Sequence, residues 1–558
     1  MKFQYIVIAF YVISLLSCGV KEKNQDNQNT LRVRIISNPD NFNPILSFDS
    51  QSSEISGYVY QTINSFDEKT SQLKPSLMSL PEILDKGSKY KYKLKENVLF
   101  SDGEKLTEKD VIFTFKVIKN PLIKNEYSYL LRNLDSVAYE NGFLIVYFNK
   151  AKWRNEYNIA GIPILPKHIW DPENLTDDFS FSAILHDTLN ENLRKYSTEF
   201  ASINSKPGNK QFIGSGPYVY GNIVRDTLID LVLNENYWNK KEDPVNIKKI
   251  TFLIIPKEED AIESLKNGKL DFSLVQNVDI FYRMLEDKSK YGLEGVSPIE
   301  PSYTYLGWNQ KNPIFKDTKT RKALSHLIDI KEILGSAKHE FGVRINSPIF
   351  HLNEKYLNKE IKPIEFDTDK AKSLLSEAGW NDTNGDGILD KIIDGKKVKF
   401  SFTFTISNSP YRLKYVKFIV ETLRKNGINA EIEVLEWNDY LKVYQSGNYD
   451  ATYSGWQLSM YPPDPYSLWH SDVTTTSINP IHFINKQSDD LIEKYEAEFD
   501  ETERIKILKE WQKLIYDEQP YSFLYSFNKR YLYSDRFETG GWSDNSSYYD
   551  FTKWKLRK

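Results

Sequence analysis

Short apolar runs alternate along the chain with segments in which apolar residues recur at helical spacing. LRVRII (31–36), FLIVYF (143–148) and ITFLIIP (250–256) are typical of strands. KYKYKLKENVLF (89–100) alternates charged with apolar residues, as a half-exposed strand does. KTRKALSHLIDIKEIL (319–334) places its apolar residues on roughly one face, which predicts a helix. This alternation of strands and helices predicts an α/β fold with more than one sheet.

Three further segments carry start or stop signals of helices. Thr107 is a predicted N-cap, because apolar residues follow it at helical spacing. The segment 413–428 predicts another helix, and the strand NAEIEVLEW follows it. A charged run that begins at Ser488 predicts two helical segments, which stop at Pro520.

The first apolar run differs from the others because it follows a lysine at the very start of the chain. It is too short to span a membrane comfortably, so the sequence predicts a signal peptide over 1–17. Its closing Leu-Leu-Ser-Cys is similar to a bacterial lipobox, which would leave Cys18 as an acylated N-terminus. Residues 18–30 would then form a polar tether. A plain signal peptide with an incidental cysteine is the alternative.

Composition sets the class of molecule. The chain has 558 residues, is 40% hydrophobic and carries a net charge of −4, which allows two or more domains and disfavours nucleic-acid binding. Its 36 Tyr and 11 Trp serve either core packing or clefts in which rings stack on ligands. Cys18 is the only cysteine, which excludes a disulfide within the chain and a cysteine-ligated metal cluster.

Sequence signatures of catalysis and of metal binding are scarce. The chain has no H-E-x-x-H, no G-x-x-x-x-G-K-[ST] and no G-x-S-x-G, and its 7 histidines are scattered. NDTNGDGILDK (381–391) begins like a calcium loop, but Ile393 stands where such a loop needs an acid. Either an Asn/Asp/Gly turn or a weak Ca²⁺ site accounts for it. We therefore expect a protein that is not an enzyme and that uses no cofactor or metal.

Seven stretches, taken together and in order, resemble one family. They are similar to segments of the oligopeptide/dipeptide/nickel-type solute-binding proteins of ABC importers, and the resemblance runs from about residue 31 to the C-terminus. The stretches are FSDGEKLTEKDVIFTFKVI, IGSGPYVY, NENYWNKKEDP, IFKDTKTRKALSHLIDI, DKAKSLLSEAGWNDTNGDGILDK, LRKNGINAEIEVLEWNDYLKVYQSGNYDATYSGW and DPYSLW.

The resemblance implies a two-lobed, periplasmic-binding-protein-like α/β fold that encloses its ligand between the lobes. It would be the large type II form, with an extra subdomain in lobe one and two interlobe crossings that act as hinges. The implied boundaries are 31–300 and 523–558 for lobe one, about 45–175 for its subdomain and 301–522 for lobe two, with crossings near 301–309 and 519–525.

The resemblance also implies a ligand site around YSGWQLSMYPPDPYSLWH (453–470), a loop that its prolines make rigid and irregular. Dipeptide-binding members have two tryptophans that correspond to Trp437 and Trp456, and an aspartate for the peptide ammonium where this chain has Ser459. Their carboxylate-binding arginine corresponds to Ser409, with Arg412 three residues on. The remaining candidate contacts are Gln457, Tyr461, Asp464, Tyr305 and Asn309.

These departures change the expected ligand. A serine does not neutralise a buried ammonium, so a free dipeptide held by both ends is disfavoured and a longer peptide held along its backbone is expected. The alternatives are a glycoside or metal chelate in the same cleft, or a sensor or chaperone that works without a permease. The expected partners are ABC permease and ATPase subunits. We expect an extracytoplasmic monomer, bound to a bacterial membrane through its lipid anchor alone.

Overall fold

The computed structural model describes residues 29–47, 49–67, 72–202, 212–335, 342–458, 462–472, 479–540 and 549–558. The predicted signal peptide, Cys18, Ser459 and Tyr461 lie outside the described residues. Within these ranges, none of the helices combines the length and the apolar character that crossing a bilayer requires.

The strands in the described ranges are, in chain order, β1 (Thr30–Ile35), β2 (Asn64–Phe66), β3 (Leu73–Pro75), β4 (Glu82–Leu84), β5 (Lys89–Tyr92), β6 (Leu134–Glu140), β7 (Phe143–Phe148), β8 (Tyr218–Val224), β9 (Leu228–Leu233), β10 (Lys249–Ile254), β11 (Phe272–Leu274), β12 (Leu293–Val296), β13 (Ser302–Trp308), β14 (Gly342–Arg344), β15 (Asp390–Ile393), β16 (Lys396–Lys399), β17 (Ser401–Ser407), β18 (Asn429–Leu435), β19 (Ala451–Gln457), β20 (Tyr521–Phe523), β21 (Tyr525–Phe527), β22 (Tyr531–Ser534), β23 (Phe537–Glu538) and β24 (Lys555–Leu556).

The α-helices in the same ranges are α1 (Ser50–Gly57), α2 (Glu108–Lys119), α3 (Asn155–Ala160), α4 (Lys167–Trp170), α5 (Phe181–His186), α6 (Glu191–Ser202), α7 (Glu258–Lys266), α8 (Val278–Glu286), α9 (Lys288–Tyr291), α10 (Thr318–His326), α11 (Ile330–Gly335), α12 (Thr368–Glu377), α13 (Pro410–Lys425), α14 (Trp437–Ser446), α15 (Tyr466–Trp469), α16 (Lys486–Ala497) and α17 (Glu501–Glu518).

Lobe one is built on a seven-stranded sheet with the order β12-β22-β11-β1-β10-β9-β8. β1 lies at its centre and runs parallel to both β10 and β11. The alternation in LRVRII follows from this position, because Leu31 and Val33 are buried in the core. Arg32 points to the other face, where its Nε lies 2.7 Å from the Asp271 carboxylate.

A four-stranded antiparallel sheet, β4-β5-β7-β6, forms a subdomain of lobe one. α2 packs on it and begins at Thr107, whose side chain accepts from the backbone N–H of Lys109 while Asp110 accepts from the backbone N–H of Thr107. The hydrophobic core runs without interruption from this subdomain into the seven-stranded sheet. The two therefore pack as one body.

The backbone of the IGSGPY stretch lies very close to the backbone of Tyr58 and Val59, which follow α1. A Cβ on Gly214 would lie 2.0 Å from the carbonyl oxygen of Val59, and one on Gly216 would lie 2.5 Å from that of Tyr58. The Gly216 N–H donates to the Val59 carbonyl at 2.8 Å. These glycines are therefore required by packing.

Lobe two is built on a five-stranded sheet with the order β18-β17-β19-β13-β20. The apolar face of β17, with Phe402 and Phe404, packs in one core with Val416 and Ile419 of α13. α16 and α17 pack on each other beside this sheet and form a second core with β20.

The chain passes twice between the two large sheets. It leaves the seven-stranded sheet after β12 and enters the five-stranded sheet at β13; it returns between β20 and β22. The two passages lie side by side, because Ile299 bridges Asn528 in antiparallel fashion and the Glu300 N–H donates to the Phe527 carbonyl at 3.2 Å. The result is a two-lobed α/β fold with a double connection, as the sequence predicts.

Two elements differ from their sequence predictions. The segment 319–334 is two helices, because the Asp329 side chain accepts from the Glu332 N–H at 3.0 Å and starts α11 after α10 has ended. The ladder of KYKYKLKENVLF ends early, at Tyr92 opposite Leu144, and the chain beyond it makes single bridges. Neither the local bond at Asp329 nor the early end of the ladder is visible in the spacing of apolar residues.

Candidate functional site

The candidate site lies where parallel strands of lobe two end and separate. β17 pairs in parallel with β18 along its whole length. In the described chain, β17 pairs with β19 only where Phe404 lies opposite Ala451. The carboxyl ends of β17 and β19 therefore diverge and leave a crevice, the usual ligand position in α/β sheets. α13 starts there and meets lobe one, because the Tyr411 hydroxyl is bonded to the backbone of Val278 at the start of α8.

Four aromatic side chains lie one after another beside this crevice, and we call Trp437, Tyr440, Tyr444 and Trp456 the aromatic row. Tyr440 and Tyr444 are buried, so only the two tryptophans are partly open to solvent. Successive ring centroids are 5.9 Å apart for Trp437–Tyr440, 5.6 Å for Tyr440–Tyr444 and 6.2 Å for Tyr444–Trp456. The first three lie on α14 at spacings of three and four residues, which bring side chains to one helix face. Trp437 is 54% exposed, so the row ends at an open ring.

Tyr305 supports the row from below. It is fully buried, its hydroxyl lies 2.6 Å from that of Tyr444, and its ring stacks on Tyr521 with centroids 3.8 Å apart. The indole N–H of Trp456 donates to the Tyr521 hydroxyl at 3.4 Å. Burial raises the pKa of Tyr521 to about 12, so this network is neutral at physiological pH.

Arg412 provides a positive charge at the same end of the sheet. Its guanidinium donates to the Ser407 hydroxyl and lies 6.0 Å from the Trp437 ring centroid. Within the described residues, no acidic side chain forms a salt bridge with Arg412. Ser409 directly precedes α13, so the positive end of the helix dipole also lies here. The first turn of α13 has no acidic residue, and the dipole therefore adds to the positive charge of Arg412.

Gln457 and Asp464 lie on either side of the undescribed residues 459–461. Gln457 is exposed and pairs with Ser302 in the register of β19 with β13. Asp464 is engaged, because its carboxylate lies 3.4 Å from Nε of Arg154 and accepts from the Tyr129 hydroxyl at 3.3 Å. In this conformation Asp464 does not present a free charge to a ligand.

The structure places Asn309 at the C-terminal end of α14, away from Trp456. Asn309 is 1% exposed, and its amide donates to the backbone carbonyls of Gly447 and Tyr449 at 3.0 and 2.5 Å. It follows the last residue of β13, whereas Trp456 pairs with Tyr303 at the other end of that strand. At about 3.3 Å per residue the two ends are roughly 20 Å apart.

Sequence reasoning did not find Tyr440, Tyr444 and Tyr521. The signal for the first two is present in WNDYLKVY, where aromatic residues follow Trp437 at three and seven positions. Tyr521 has no local signal, since only the pairing of β20 with β13 brings it beneath Trp456.

The segment that begins like a calcium loop is held by hydrogen bonds and lysines. Asp382 accepts from the backbone N–H groups of Gly385 and Gly387 at 2.7 and 2.9 Å. The Lys399 ammonium lies 2.5 Å from Asp386 and lowers the pKa of that carboxyl to about 2. In the described residues, no group of three or more His, Cys, Asp or Glu side chains is arranged to hold a metal ion. These contacts favour the turn.

Comparison with known proteins gives one consistent family. Residues 72–477 match the bacterial extracellular solute-binding proteins, family 5 Middle. The oligopeptide-binding protein AppA of Bacillus subtilis is 32% identical over 534 residues, which cover 95% of this chain and 92% of that protein. The dipeptide-binding protein of Escherichia coli is 24% identical over 86% of either chain.

Solved structures agree with this result. AppA from Bacillus subtilis in complex with a nonapeptide has a TM-score of 0.77 and 30% identity, and the match covers 95% of this chain and 99% of that one. NikZ from Campylobacter jejuni in complex with Ni(L-His) has the same fold, with a TM-score of 0.76 at 23% identity over 95% and 99% of the two chains. The relatives are named as binding proteins. The chain belongs to the bacterial extracellular solute-binding proteins of family 5.

Proposed function

We propose that this protein captures a peptide between its lobes and delivers it to an ABC permease, with no chemical step. The observation that carries the proposal is the open edge at the end of β19, where Gly455 and Gln457 are exposed beside the aromatic row. β19 pairs with β13 along its whole length, whereas its register with β17 ends at Ala451 in the described chain. An extended peptide can add to such an edge by main-chain hydrogen bonds, which do not depend on its sequence.

The charges around the crevice support a ligand longer than a dipeptide. Asp464 is paired with Arg154, and the resemblance places Ser459 where dipeptide-binding members have the aspartate for the ammonium, so neither position offers a free carboxylate to an N-terminus. Arg412, at the start of α13, is suited to a ligand carboxylate. AppA, at 32% identity, is named as an oligopeptide-binding protein, and its structure holds a nonapeptide.

Calorimetry with one nonapeptide in four forms tests both parts of this proposal. The forms have a free or acetylated N-terminus and a free or amidated C-terminus. Acetylation should change Kd less than twofold, because Ser459 has no charge and the Asp464 carboxylate is already paired with Arg154. Arg412→Met should weaken the free carboxylate form about tenfold, or ~1.4 kcal/mol, and leave the amidated form unchanged.

Lys417→Met, at an exposed position of the same helix, is the matched control. A strong requirement for the free N-terminus would contradict the proposed ligand class. Equal loss for both carboxyl forms in Arg412→Met would contradict the role of Arg412.

We also propose that the mature protein begins at an acylated Cys18 and is tethered outside the cytoplasm as a monomer. The lipobox-like Leu-Leu-Ser-Cys and the polar residues after it support this arrangement. Labelled palmitate should enter the wild type and not Cys18→Ala, which should be recovered in the soluble fraction. Membrane retention of Cys18→Ala would contradict lipid anchoring.

A further inference from the structure

The proline-rich loop after β19 is held by contacts with Arg154 of the other lobe, and we call these contacts the grip. Pro462 and Pro463 have no N–H, so their carbonyl oxygens are the only backbone groups they can offer to a partner. The guanidinium of Arg154 donates to both, at 3.3 Å in the case of Pro463. Its Nε also lies 3.4 Å from the carboxylate of Asp464. One side chain of lobe one thus holds three consecutive residues of lobe two.

The grip is buried and has a second support. The side chains of Arg154 and Asp464 are only 9% and 11% exposed. Tyr495, in α16 of lobe two, donates its hydroxyl to the Pro463 carbonyl at 2.9 Å. Tyr129 of the subdomain donates to Asp464 at 3.3 Å. The charges compensate each other only while the lobes are together, because a buried ion left alone is costly.

A neighbouring ion cluster crosses the same boundary. Glu496 of α16, with a side chain 3% exposed, pairs with both Arg132 and Lys152 of the subdomain. Trp153 lies between the two clusters, and its indole N–H donates to the Tyr495 carbonyl at 2.8 Å. Residues at both ends of the segment 129–154 therefore meet lobe two through hydrogen bonds and ion pairs.

The gripped residues belong to the same loop as the ligand site. Trp456 stands at the N-terminal side of the loop, and Pro462 to Asp464 form its C-terminal side. Only residues 459–461 separate the last described residue of the first side from the second. Trp456 and Leu458 on the first side also pack against the same apolar cluster as Tyr466 and Trp469, which follow Asp464, so the positions of the two sides are coupled.

We propose that Arg154 is a positioning residue for ligand binding, which shapes the proline-rich loop from lobe one only when the lobes are closed. Closing the lobes then also fixes the conformation of the loop beside the ligand. Release of the ligand requires the Arg154 contacts to break. This inference rests on the proposed peptide-binding function. It predicts that Arg154 slows ligand dissociation without touching the ligand.

Stopped-flow kinetics with a fluorescent nonapeptide test the proposal. Arg154→Met should raise the dissociation rate at least tenfold and leave the association rate within twofold, because the open form that the peptide enters has no Arg154 grip. Arg154→Lys, which keeps the charge but loses the fork, should recover part of the loss. The double variant Arg154→Met/Asp464→Asn should raise the dissociation rate by less than the product of the increases in the two single variants.

Two further variants keep the result interpretable. Tyr129→Phe removes only the lobe-one hydroxyl on Asp464 and should raise the dissociation rate severalfold even if Arg154→Met folds poorly. Arg32→Met breaks a partly buried ion pair with Asp271 inside lobe one, so it should lower thermal stability and leave both rates unchanged. An unchanged dissociation rate in Arg154→Met and Tyr129→Phe would overturn the proposal.

Amide hydrogen exchange separates this inference from the proposed function, since it needs no added ligand. The Tyr466, Trp469 and His470 amides should exchange faster in Arg154→Met than in wild type, while those of β1 should not change. If wild type binds no nonapeptide, the proposed function fails, and this exchange difference still decides whether Arg154 holds the loop. Equal exchange in both proteins would overturn the role of Arg154.

Discussion

At the scale of single residues, one half-exposed ring carries the clearest signal of binding. Trp437 continues the stack of Tyr440 and Tyr444, yet it is 54% exposed, although a tryptophan usually buries most of its surface. Arg412 lies beside it. A ring held in place from behind and open in front is suited to stack on a ligand.

Trp437→Ala should weaken peptide binding about tenfold, or ~1.4 kcal/mol, because it removes the open end of the aromatic row. The melting temperature should change little, since the ring is half exposed. Calorimetry and a thermal melt measure the two effects. Tyr139→Ala, at a 48% exposed ring in the subdomain, is the control and should change neither. A loss of stability without a loss of affinity would assign Trp437 to packing.

Tyr521 should make the protein sensitive to alkali. Burial raises its pKa from 10.0 to about 12, so its contribution to stability is complete below pH 10 and is lost as the pH rises through 12. The loss corresponds to about 3 kcal/mol. In urea titrations at pH 9 and pH 12, Tyr521→Phe should show a smaller drop in the free energy of unfolding than wild type. An equal drop in both would contradict this account, and Tyr139→Phe is the matched control.

At the scale of elements, the chain after α1 packs closely on the IGSGPY stretch because Gly214 and Gly216 have no Cβ atom. Gly216→Ala places a Cβ 2.5 Å from the Tyr58 carbonyl oxygen and 2.6 Å from that of Val59. We expect a loss of about 1–3 kcal/mol in the free energy of unfolding, because backbone atoms cannot move aside as a flexible side chain can. Urea denaturation followed by circular dichroism measures it.

Gly161→Ala is the control for that experiment, since an added Cβ at Gly161 meets nothing within 4 Å. It should leave the free energy of unfolding within about 0.5 kcal/mol of wild type. Equal effects of the two substitutions would contradict the close approach at Gly216.

The sequence predicts local elements better than it predicts partners. β1, β7 and β10 follow from their apolar patterns, and Thr107 caps α2 as its position indicates. The break after α10 was missed because an Asp329 side chain decides it, while the surrounding apolar spacing continues unchanged.

The candidate site shows the same limit. Trp437 and Trp456 could be named because the family spacing places them, and the structure links them through two tyrosines. Arg154 donates to Pro462, 308 positions away in the chain, and nothing in either segment indicates the other. Asn309 lies in a stretch that resembles a crossing, but its amide holds the end of α14. Such contacts arise from topology.

At the scale of the whole molecule, two lobes joined by a double connection explain how a ligand could be enclosed and released. Ile299 and Asn528 pair the two passages, while Arg154 and Glu496 join the lobes far from them in the chain. Two lobes that meet through breakable contacts can exist in open and closed states. A permease can then distinguish loaded from empty protein by shape.

Mass spectrometry of the material released when gently purified protein is denatured identifies the ligand that the protein binds in the cell. We expect a mixture of peptides longer than two residues, with varied sequences and no fixed N-terminal requirement, because the open edge of β19 binds main chain. Release of a sugar, of a metal chelate or of dipeptides alone would contradict this expectation.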